Sequence, residues 1–174
     1  MDFLISRETP LACWRASKRA GRLRAVALTD GHERSAKNKL EELLGFPIKD
    51  YPDLFDFETP SKIKRTQTAS LPEVIKYRGT DSCMIAYEGS WVNTRGNTCS
   101  CSGKAEVVDH LIPISSNRVR KELGVKPLPG KKVESQEIGS AHISNLILAC
   151  AACNSRKLQS FDRDTIHRVI GLSP

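Results

Sequence analysis

The sequence predicts an α+β fold: a strand, loop, strand and helix unit held by cysteine pairs, behind a mainly helical, basic N-terminal part. Three observations carry this expectation. Two short β-prone runs, "AEVVDHLIP" and "NLILA", flank a long loop. The second runs directly into "CAACNSRKLQSF", whose residues tolerate a helix. Cysteines stand in close pairs at Cys99-x-Cys101 and Cys150-x-x-Cys153.

A chain of 174 residues suits one domain, or one domain with a substantial extension. Its 39% apolar and 27% charged content is that of a folded protein, which excludes global disorder. No stretch has the length of a membrane span, and "MDFLISRETP" lacks the pattern of a signal peptide, so a cytoplasmic location and no membrane partner are expected. The net charge of +7 and pI near 9.2 fit polyanionic partners and an ordinary basic surface equally well. Basic residues dominate 1–40, acids dominate 41–60, and basic residues return beyond.

From the N-terminus, "SKRAGRLRAVAL" has helix formers and a basic face, with Gly21 weakening it. "SAKNKLEELLGF" is a stronger helix: Ser35 can cap it, Leu40, Leu43 and Leu44 form an apolar stripe, and Gly45 stops it. Pro47, Pro52 and Pro60 make 46–60 an irregular connector, packed by Phe46, Tyr51, Phe55 and Phe57. "SLPEVIKYRGT" reads as a short helix between Ser70 and Gly79. "CMIAYEGSWVNT" is strand material ending in a turn at 93–97. A basic helical region over 1–95 and a second unit over 96–174 are the expected divisions. The loop between the two β-prone runs should hold a small helix, "NRVRKELG", and a turn region, "VKPLPGKK".

In a reducing compartment closely spaced cysteines are better read as metal ligands than as disulfides. Four thiolates from Cys99, Cys101, Cys150 and Cys153 would close a tetrahedral zinc site with no open position, which makes the zinc structural. The C-x-C spacing is irregular, and Cys83 stands as the alternative to Cys99. Cys13, far from the others in sequence, is expected as a buried thiol.

Asp109 and His110 end the first β-prone run just before Pro113, where a turn would bring a hard oxygen ligand and an imidazole to one place. The order Cys99-x-Cys101, Asp109-His110-Leu-Ile-Pro113, then Asn145-Leu-Ile-Leu-Ala-Cys-Ala-Ala-Cys153-Asn154-Ser-Arg-Lys157 resembles the HNH nucleases, the ββα-metal fold, over residues 99–159. The resemblance implies an HNH core stapled by a zinc site of four cysteines. It implies a metal-dependent endonuclease that hydrolyses phosphodiester bonds in DNA, most naturally duplex DNA, in a restriction, homing or phage setting. Within it His110 would be the general base and Asn145 would bind the loop or orient the imidazole. Asp109 and Asn154 would hold Mg²⁺ or Mn²⁺ through oxygen atoms.

Lys157, three residues after Asn154 on the expected helix, shares its face and stands within reach of a phosphate. Arg156 points elsewhere on the same helix, and Lys131 and Lys132 load the long loop; all three are candidate DNA contacts, as are Lys62, Lys64 and Arg65. Cutting at palindromes would call for a homodimer. Two other functions fit the same residues: a zinc-stapled nucleic-acid-binding module without activity, and an RNA-cleaving nuclease.

Overall fold

The computed structural model describes residues 37–172, apart from 39, 60 and 117–135. The expected helix over 17–28, Cys13, and the small helix, turn and lysines of the long loop lie outside the described residues. Residues 40–44 are helical, and Gly45 stops them with φ 81°. Leu40 and Leu44 are buried, as their spacing requires, and Leu43 packs beside them. The connector that follows makes two 3-10 turns, Ile48–Asp50 and Pro52–Leu54. Its aromatic rings pack on one another: Phe46 meets Tyr51 edge-on at 5.0 Å, and Phe55 stacks on Phe57 at 6.4 Å.

Two helices follow. Helix α1 (Ser61–Thr66) carries Lys62, Lys64 and Arg65. Helix α2 (Leu71–Arg78) carries the capping box its sequence announces: Glu73 accepts from the Ser70 backbone N–H at 2.7 Å, and Gly79 closes the far end in the left-handed region. Strands β1 (Ser90–Val92) and β2 (Thr98–Ser100) pair antiparallel around the expected turn. Only the last part of "CMIAYEGSWVNT" is strand; residues 83–89 are irregular and buried at Cys83 and Ile85.

Strand β3 (Val107–His110) pairs antiparallel with β6 (Leu146–Ala149), Asp109 opposite Ile147 and His110 opposite Leu146. Between them, β4 (Ser115–Ser116) and β5 (Gln136–Glu137) pair and so bring together the two ends of the long loop. The unbroken apolar run of β6 has a simple cause. Leu146 and Leu148 bury themselves with Val74 of α2 and Ala105, while Ile147 and Ala149, on the opposite face, enter the main core with Leu40, Leu111, Ile138 and Ile166. One buried cluster thus joins residues 40–55 to residues 111–166. Arg78 fastens α2 to this sheet, donating from Nε and Nη2 to Leu146 O at 2.9 and 2.8 Å and from Nη2 to Ser144 O at 2.6 Å.

Helix α3 (Ala151–Lys157) follows β6 directly, and α4 (Arg163–Ile170) ends the described chain. The latter has a readable cap: Asp162 accepts from Thr165 N, and Gly171 stops the helix at φ 77°. The architecture is α+β, with helices around small antiparallel sheets. Among the described residues, no helix is long and apolar enough to cross a membrane.

Candidate functional site

Four thiols meet at the junction of the β1–β2 ribbon and the start of α3. The sulfur atoms of Cys83, Cys101, Cys150 and Cys153 all lie within 4.8 Å of one another, which makes this group a candidate metal site. A tetrahedral ion with bonds of about 2.3 Å needs sulfurs about 3.8 Å apart. The Cys101 and Cys150 sulfurs stand at 3.9 Å.

The backbone favours negative sulfur here. Cys150 N donates to Cys83 Sγ at 3.2 Å, Gly103 N to Cys101 Sγ at 3.3 Å, and Cys153 N to Cys150 Sγ at 3.4 Å. Gly103 can aim its N–H this way because φ there is 77°, in the region that disfavours a side chain. Burial by itself raises the Cys150 thiol, but donors on Cys153, Ser102 and the neighbouring thiols outweigh it and bring it down to about 6. Burial pushes Cys101 and Cys153 up, so the cluster shares protons unequally.

Cys83 therefore stands where Cys99 was the first expectation. Cys99 sits in β2 opposite Trp91, accepts from Asn93 Nδ2 at 3.4 Å and is directed to Asn97 O at 3.7 Å. The physical reason is pairing: Cys83 N donates to Gly103 O at 2.9 Å beside the Ser82–Lys104 bridge, which brings Cys83 to the turn after Cys101, while the Cys99 sulfur is held by Asn93 and Asn97. The irregular C-x-C pair was the one signal in the sequence that pointed to Cys83.

The second group lies at the end of β3. Asn145, fully buried, holds the chain that leaves His110: its Oδ1 accepts from Ile112 N at 2.8 Å, and its Nδ2 donates to Ile112 O at 3.0 Å and Ser140 O at 2.8 Å. Its own carbonyl accepts from Leu111 N at 2.8 Å. Asn145 thus binds the loop, not the imidazole. Gly139 completes the clamp, because a Cβ there would stand 2.0 Å from Ile112 O. Replacing Asn145 by alanine leaves three buried backbone groups without partners, each at a cost of about 1–3 kcal/mol. A loss on the order of 3 kcal/mol or more in urea unfolding is expected, and a change below about 1 kcal/mol would remove the clamp from the account.

His110 is turned inward, and its Nε2 is buried with no hydrogen-bond partner among the described residues. Burial is the main reason its pKa falls to about 4; the Asp109 carboxylate opposes this, while the cations of Lys157, Arg65 and Lys64 add to it. The imidazole is therefore neutral near pH 7. Asp109 Oδ2 accepts from Lys157 Nζ at 2.7 Å, and the same ammonium donates to His110 O at 2.7 Å. Lys157 is 1% exposed. It was expected as a surface contact for phosphate; instead it closes α3 onto β3, covering its stem with apolar surface and its charge with a carboxylate. Lys64 is corrected likewise: it is buried, donates to Asp56 O and pairs with the Asp56 carboxylate at 3.8 Å.

Asn154 lies three residues before Lys157 on the same helix, half-buried, with no side-chain hydrogen bond among the described residues. Arg156 points away from this group. Its guanidinium lies over the rings of Tyr87 and Trp91, 4.5 and 4.7 Å from their centroids, contacts worth about 0.5–1 kcal/mol each. Lys131 and Lys132 lie outside the described residues. No family model, curated protein or solved structure matches the chain.

Proposed function

We propose that this chain is a metal-dependent endonuclease of the HNH type that hydrolyses phosphodiester bonds in DNA, its fold tied by zinc in the cluster of Cys83, Cys101, Cys150 and Cys153. One observation carries the reading: Asp109 and His110 end a strand whose antiparallel partner begins directly after Asn145, at Leu146, and leads straight into the helix bearing Asn154. The thiols suit zinc because soft ligands in a closed set of four leave no position for water.

In this reading His110 takes the proton from the attacking water at Nε2; burial makes that nitrogen a weak base in the closed state, and opening the site to water would restore its basicity. Asn145 is a positioning residue: it fixes Leu111 and Ile112, and so the direction in which the His110 ring leaves the strand. Asp109 and Asn154 would hold the hard divalent ion. When bound, that ion would supply Lewis-acid stabilisation of charge on the phosphate and the departing 3′ oxygen. Lys157 keeps the Asp109 carboxylate aimed and offsets part of its charge. Nε2 is closed off from solvent in this state, so the site must open to admit a phosphodiester.

A second reading has its own support. The bond from Lys157 already satisfies one Asp109 oxygen, as would suit a nucleic-acid-binding module that no longer cuts. Incubating the protein with supercoiled plasmid and Mg²⁺ or Mn²⁺ separates the two. Nicked or linear product supports the nuclease; binding to the plasmid without any cleavage supports the module. Matched RNA in the same assay gives the substrate class.

A further inference from the structure

Arg156 occupies an unusual seat for a surface cation. The Tyr87 and Trp91 rings meet edge to face, with centroids 6.1 Å apart and planes at 83°, and form a corner. Both pack against the main core, so the corner is rigid. The chain accepts strain to build it: Ala86, immediately before Tyr87, has φ 48°, a conformation alanine seldom takes. Arg156 itself is exposed, and among the described residues no carboxylate pairs with it. Asp162 accepts from Thr165 N through Oδ1 at 3.1 Å, and its Oδ2 is buried with no hydrogen-bond partner among the described residues, so neither oxygen engages Arg156.

Stacking on aromatic rings uses the face of a guanidinium and leaves the N–H groups along its edge available. Those donors match two oxygens of a phosphate, and an ammonium offers no such fork. Holding the side chain in one orientation removes rotamer freedom before a ligand arrives. The chain's charge of +7 selects for anions. We propose that Arg156, seated in the Tyr87–Trp91 corner, is a preformed binding site for a backbone phosphate of duplex DNA. The corner is built on the segment between Cys83 and Cys101, and Arg156 adjoins Lys157 in sequence, so one helix carries both this anchor and the group that holds Asp109. The proposal rests on the reading of DNA as substrate and deepens it.

The test measures binding of the full chain to a labelled duplex by fluorescence anisotropy across a salt series, in a His110→Ala background that prevents cutting. Arg156→Gln should weaken binding about five- to tenfold at low salt and reduce the slope of log K against log salt by about one. Arg156→Lys should keep the slope and lose about threefold, because charge without a seat is a poorer fork. Melting temperature and zinc content, measured on each variant, show whether the fold is intact. Arg156→Gln protein that is folded and binds with the parent's affinity and slope overturns the proposal. So does a parent that binds no duplex, or one whose Arg156-dependent ligand is an acidic peptide or RNA in preference to duplex. Plasmid cleavage alongside unchanged Arg156→Gln binding would sink the anchor alone. Arg156-dependent binding without cleavage by unmutated protein would sink the nuclease alone.

Discussion

Replacing Cys150 by serine is expected to unfold the second half of the chain, and the magnitude is decisive. A structural zinc contributes about 10–16 kcal/mol to folding, whereas a whole domain is stable by only about 5–15 kcal/mol. Cys150 caps α3, supplies one of the four sulfurs and follows directly on β6, so its loss releases ribbon, strand and helix together. Circular dichroism and zinc content of the purified variant should both collapse, and a strong chelator should do the same to the unmutated protein. Cys99→Ser, in contrast, should retain one zinc per chain and lose little stability, because its sulfur lies outside the cluster. A folded, zinc-free Cys150→Ser protein, or loss of zinc from Cys99→Ser, would contradict this assignment.

The second large effect concerns His110. Its replacement by alanine should lower the cleavage rate by about 10²–10⁴-fold, the range for a general base, while zinc content and duplex binding stay near those of the parent. The buried Nε2 has no bond to lose among the described residues, so little stability is at stake apart from the packing of the ring. Asn145→Ala separates positioning from chemistry: it should lose both stability and rate, whereas His110→Ala loses rate. Equal rates for His110→Ala and the parent would remove His110 from the mechanism.

Much of the scaffold was legible because it depends on neighbours in sequence. Ser70, Glu73 and Gly79 bracket α2 through contacts a few residues long. Pro47 and Pro52 broke the connector where expected, and "NLILA" became a strand buried on both faces because an unbroken apolar run leaves no side for water. Cys150 and Cys153 were readable for the same local reason: two intervening residues bring both sulfurs of a C-x-x-C pair to one place.

What was illegible depends on distant partners. Lys157 reads as a surface cation until Asp109, on another element, is known to face it. Lys64 reads as a candidate DNA contact until the Asp56 carboxylate and backbone claim it. Arg156 gave no sign of its aromatic seat, since Tyr87 and Trp91 are brought to it by a ribbon that the thiols tie down. Helix α4 left a cap at Asp162 and a stop at Gly171 that sequence reasoning could have used.

The most direct measurement is end analysis of supercoiled plasmid incubated with zinc-loaded, full-length protein and Mg²⁺. The account predicts nicked or linear product with 5′-phosphate and 3′-hydroxyl ends, formed only with the divalent ion and lost in the His110→Ala variant. Plasmid left intact under Mg²⁺ and Mn²⁺ by folded protein holding its zinc would contradict it.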